Sequence, residues 1–206
     1  MATATVGHAT LADAVWQSEG QARIVRNIVL ILAGTALMAI SARINVPMWP
    51  VPMTMQTFAV LVIAMAYGWK LAGATLVAYL AEGALGLPVF ASGGGIAYFA
   101  GPTTGYLFGF LVAAVAVGWL AEKGWDRSPV STFVANAIGT AIIFFLGVSW
   151  LTGFLAITNM MAFADAFGAA MTNGLTPFLF GALVKISLAA AVLPLLWKVL
   201  PRGKND

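Results

Sequence analysis

The sequence predicts an all-α polytopic membrane protein with six transmembrane helices. Three observations carry that expectation. Of 206 residues, 61% are hydrophobic and only 8% charged, and mean hydropathy is +0.95. Soluble domains carry about 25% charged residues, so this chain has too little polar surface to fold in water. The apolar runs are long and continuous, whereas a membrane barrel would alternate over segments of about ten residues. Lysines and arginines, finally, sit at the ends of those runs.

The elements follow in order. Residues 1–22 form a mixed polar tail with no cleavable leader expected. Segment one spans about Ile24–Ile44 and is rich in small residues (Ala33, Gly34, Ala36, Ala39), which admit close helix packing, within the chain or against a membrane partner. Segment two spans about Thr57–Tyr67. It is short for a bilayer core that needs about 20 residues, so Pro47–Gln56 is expected beside it. Prolines 47, 50 and 52 make that stretch extended and stiff. Segments three to six span about Leu71–Leu87, Thr103–Leu120, Val130–Val148 and Pro177–Leu200. Ser149–Thr176 is mostly apolar and is expected to hold a short interfacial helix or a re-entrant piece. Residues 201–206 form a second tail, and residues 1–206 read as one domain.

Six crossings place Arg23, Arg26, Lys70, Lys123, Arg127, Lys198, Arg202 and Lys204 on one side. Only Arg43 falls in an opposite loop. The positive-inside rule then puts both termini in the cytoplasm and the protein, multi-pass, in the cytoplasmic (inner) membrane, in contact with lipid. The loops on the other side, Arg43–Gln56, Gly86–Pro102 and Ser149–Thr176, hold the irregular sequence. A solute site is expected there, near the outer face.

Composition excludes other classes. There are no cysteines and one histidine, His8, so thiolate and histidine-cluster metal sites are ruled out and no cofactor is expected. A formal charge of +3 scattered at helix ends gives no nucleic-acid surface. No paired carboxylates or nucleotide motif suggest an enzyme.

Three pieces carry candidate chemistry. In the 47–57 stretch, Thr54, Gln56 and Thr57 offer hydrogen-bonding groups held by stiff backbone. Gln56 presents both a carbonyl and an NH2; otherwise it caps the next helix. In GLPVFASGGGIAYFAGPTTGY, Gly93 and Gly94 leave backbone free for close approach, and Phe90 and Tyr98 flank them with flat apolar surface. This reads as a ligand wall or as a glycine-packed turn. Lys185 lies mid-segment in PFLFGALVKISLAAAVLPLL, where a lysine costs roughly 2.5–3.5 kcal/mol. It is a site residue, half of a structural ion pair, or a snorkelling cation. Asp165 is its first expected acceptor and Glu82 the second.

Taken together, VPMTMQT at 51–57, EGALGLPVFASGGG at 82–95, GPTTGYLFGF at 101–110, and GALVK at 181–185 with AAAVLPL at 189–195 resemble the BioY family. These are the biotin-specific substrate-capture subunits (S components) of energy-coupling factor transporters. The resemblance runs across nearly the whole chain. It implies high-affinity capture and uptake of biotin from the outer side, with a transmembrane coupling protein and cytoplasmic ATPase subunits as partners. It implies a pocket at Gln56, the 90–98 stretch and Lys185. An acid commonly precedes the family's lysine by three residues; here that position is Ala182, and Asp165 is the expected substitute unless the geometry differs. Arg43 is placed to meet the ligand carboxylate. The alternatives are a stand-alone secondary carrier of biotin or another vitamin, ion-coupled through Asp165 or Glu82, and a membrane scaffold with no small-molecule site.

Overall fold

A computed structural model describes residues 9–199. The 201–206 tail and residues 1–8 of the N-terminal tail lie outside them. Residues 9–22 of that tail include a short helix. Thr10 and Asp13 cap each other at the start of α1 (Leu11–Val15), which buries Leu11 and Ala12. Asp13 also pairs with Arg26 at 2.9 Å, tying α1 to α2 (Gly20–Arg43). Five residues are too few to show a helical period in sequence.

The proline-rich stretch folds as a β-hairpin. Strand β1 (Asn45–Val46) pairs antiparallel with β2 (Met53–Thr54), and a cis bond joins Trp49 to Pro50. Expected segments two and three form one element, α3 (Gln56–Ala84), interrupted at Gly68 with φ 73°. Gln56 Nε2 lies 2.7 Å from the Tyr79 hydroxyl. Twenty-three residues of straight helix would separate them by about 34 Å, so α3 reverses at Gly68. Only glycine takes that φ without strain, and a Cβ there would meet Glu122 Oε1 at 2.4 Å. The expected break at Gly68–Lys70 is therefore one residue wide.

After a 3-10 turn (Ile96–Ala100), α4 (Thr104–Leu120) runs into a π turn (Ala121–Trp125). Helix α5 (Pro129–Thr158) starts with a proline after a Ser128 cap. It extends ten residues past the expected end at Val148. Ser149, Thr152 and Thr158 bond their hydroxyls to the carbonyls four residues back, so these polar residues sit inside a helix and do not end it. The expected short helix is α6 (Phe163–Gly174), which buries Ala166 and Ala170 against α5. Helix α7 (Phe178–Val199) packs on α5 and α3.

The fold is all-α and polytopic: among the described residues five helices, α2, α3, α4 with its π turn, α5 and α7, are long and apolar enough to cross a membrane. Helix α4 is central, packed between α3 and α5, and α2 rests on α3. Small residues allow the close approach. A Cβ at Gly109 would meet the Ile143 backbone at 3.0 Å, and one at Gly139 the Val117 side chain at 2.5 Å.

Candidate functional site

A cleft of about 590 Å³ opens between the β-hairpin, the start of α3, α4 and α7. Its lining mixes two chemistries. Tyr98, Tyr106, Phe110, Phe144 and Phe178 supply aromatic surface, and Thr54, Gln56, Thr57 and Lys185 supply polar groups.

Lys185 reaches from α7 to the hairpin. Its ammonium donates to the Thr54 carbonyl at 2.6 Å and to the Thr57 hydroxyl at 3.1 Å. An ammonium has three donors, so one N–H remains for a ligand. Among the described residues no aspartate or glutamate lines the cleft, and Lys185 is the one charged side chain that does. The bonds to Thr54 and Thr57 satisfy the lysine without a carboxylate.

Gln56 is 4% exposed, yet it faces the cleft. Its Oε1 accepts from the Thr54 hydroxyl at 3.2 Å, and its Nε2 donates to Tyr79. The Tyr79 hydroxyl donates onward to the Val89 carbonyl at 2.8 Å. A line of hydrogen bonds thus joins α7, the hairpin, both limbs of α3 and the glycine loop. Tyr106 holds the other side: its hydroxyl donates to the Gly174 carbonyl at 2.7 Å and fixes the α6–α7 junction.

Of the residues expected at the site, Thr54, Gln56, Tyr98 and Lys185 meet at the cleft. The others lie off it. Phe90 is fully buried behind Tyr98, at 4.8 Å between ring centroids, and also packs on Tyr79 and Phe99. Gly93 exchanges backbone bonds with Phe90. Gly94 presses on the chain at Leu87, where a Cβ would come within 2.1 Å of the carbonyl oxygen. These residues shape the loop that presents Tyr98. The Arg43 guanidinium donates to the Pro88 carbonyl and braces the same loop from α2. Asp165 is exposed in the first turn of α6, where a carboxylate complements the helix dipole. Asp165 is not among the residues that line the cleft, whereas Ala182 is.

Sequence reasoning missed Tyr79 and the aromatic lining of Phe110, Phe144 and Phe178. The signal for Tyr79 was present: Gly68 stands midway between it and Gln56. Reading it required treating Gly68 as a full reversal.

The profile of the BioY family matches residues 9–202. The chain is 37% identical over 167 residues to "Biotin transporter BioY" of Thermotoga maritima, covering 79% of this chain and 92% of that one. It is 32% identical over 168 residues to "Probable biotin transporter BioY" of Pyrococcus horikoshii, covering 81% and 93%. Among solved structures it resembles the S component for biotin from an ECF-type ABC transporter. That TM-score is 0.69 at 21% identity, over 88% of this chain and 95% of that one, which is a likeness of fold.

Proposed function

The chain belongs to the BioY family, and from that premise we propose that it captures biotin in the cleft between the hairpin, α4 and α7. It acts as the S component of an energy-coupling factor transporter and takes up the vitamin with a transmembrane coupling protein and cytoplasmic ATPase subunits. The observation that supports this reading is the cleft's mixed lining of aromatic surface and fixed polar groups. Fused rings suit the aromatic surface of Tyr98, Tyr106, Phe110, Phe144 and Phe178. A ureido group suits the fixed amide and hydroxyls of Gln56, Thr54 and Thr57. Binding a small ligand by a few convergent polar groups in an apolar pocket is the usual design. Neither Asp165 nor Glu82 lines the cleft, so an ion-coupled carrier has no carboxylate there to use.

The membrane arrangement belongs to the same proposal. Because α3 reverses at Gly68, it crosses twice, and the chain makes six crossings. Its first limb, Gln56–Tyr67, is about 18 Å long, and the hairpin completes that span. Six crossings bring Lys70, Lys123, Arg127 and Lys198 to one end. There Lys70, Lys123 and Arg127 lie over Trp69, Trp119 and Trp197 at 5.3, 3.4 and 4.9 Å, as interfacial aromatics and cytoplasmic cations do. The cleft then faces outward and both termini inward.

Equilibrium binding of biotin to purified protein, with uptake by cells carrying or lacking an energy-coupling module, tests this. One-to-one binding and module-dependent uptake are expected. Folded protein that binds no biotin would sink the assignment.

A further inference from the structure

Tyr79 is 0% exposed and is not part of the cleft wall, so it reaches a ligand only through Gln56. Its single hydroxyl proton has one destination. The Val89 carbonyl, 2.8 Å away, can only accept. The tyrosine oxygen therefore offers a lone pair to Gln56, and the atom it faces at 2.7 Å must be the NH2. The amide oxygen is turned the opposite way, toward Thr54 Oγ1 at 3.2 Å. Thr54 lines the cleft and Tyr79 does not, so the oxygen is the cleft-side atom. One lone pair on it stays open beside the Thr54 hydroxyl.

We propose that Tyr79 is a specificity-determining positioning residue. By fixing the sense of the Gln56 carboxamide it makes the cleft present an amide oxygen, and so selects ligands that carry an N–H donor at that point. This rests on the reading that the ligand lies against Gln56. Without the tyrosine hydroxyl, no partner on that side fixes which way the carboxamide is turned. The flipped NH2 finds an acceptor in Thr54 Oγ1, and the selection is lost.

The test compares biotin with its two cyclic carbamate analogues, in which a ring oxygen replaces one ureido N–H without added bulk. Wild-type protein is expected to bind biotin at least about tenfold more tightly than one of them, because a site built to accept an N–H penalises its absence. In Tyr79→Phe that ratio falls to about twofold, while a purely structural role would weaken both ligands and leave the ratio intact. An unchanged ratio in folded Tyr79→Phe, or no discrimination by wild type, overturns the proposal. Gln56→Ala separates the two readings. If it leaves biotin binding unchanged, the placement of the ligand against Gln56 fails. If it weakens binding while Tyr79→Phe keeps the ratio, only the role of Tyr79 fails. Should Tyr79→Phe not fold, Gln56→Glu serves. A carboxylate presents acceptors only, so the ratio is kept or rises, and its collapse overturns the proposal.

Discussion

Lys185 carries the charge of the cleft, and its surroundings explain how the bundle tolerates it. Two of its N–H groups are taken by Thr54 and Thr57, which lowers the cost of burial, and the third is free for a ligand acceptor. Charged hydrogen bonds are roughly twice as strong as neutral ones. Lys185→Met is expected to weaken biotin binding about tenfold to a hundredfold, the loss of one such bond. Asp165→Asn, exposed and off the cleft, should leave affinity within about twofold. Titration calorimetry on the two variants checks both. That Lys185 needs acceptors was legible from its cost in an apolar segment. Their identity was not, because a lysine in sequence advertises a need for acceptors but not which ones. Carboxylates are the obvious partners, yet the hairpin's backbone carbonyl and a threonine hydroxyl fill the role.

At the scale of elements, Gly68 decides the shape. It folds α3 back on itself, brings Gln56 to Tyr79, and lets Glu122 accept from the Trp69 backbone N–H at 3.2 Å. Gly68→Ala would need both a positive φ and room where Glu122 stands. The expected loss is about 1–3 kcal/mol, from backbone strain and overpacking, read as a lower unfolding temperature in detergent. Gly68 lies at the opposite end of both limbs from Gln56, so the variant that does fold should bind biotin as wild type does. The helices were legible because their apolar runs are long and end at charges. The reversal inside α3 and the extension of α5 were less so. A single glycine serves equally as a packing contact, and Ser149, Thr152 and Thr158 read as loop residues until their hydroxyls are seen bonded along the helix.

At the scale of the whole molecule, the proposed arrangement sets the cleft at the outer end and the cations at the inner one. The chain has no cysteine, so single cysteines report orientation without background. Trp49→Cys, at an 82% exposed loop position, should react with an impermeant maleimide in intact cells. Lys70→Cys should react only after permeabilisation. The reverse pattern would invert the topology. The proposed orientation rests on charge asymmetry in the sequence, whereas the aromatic lining was hidden because Phe110, Phe144 and Phe178 come from three helices whose rotation no single segment reveals. The most direct test of the central claim uses Ala182, which lines the cleft. Ala182→Cys should be labelled from outside, and saturating biotin should slow that labelling at least about tenfold, as expected for a ligand that buries most of its surface in the site. Labelling unaffected by biotin, in protein shown to bind it, would place the vitamin elsewhere and contradict the account.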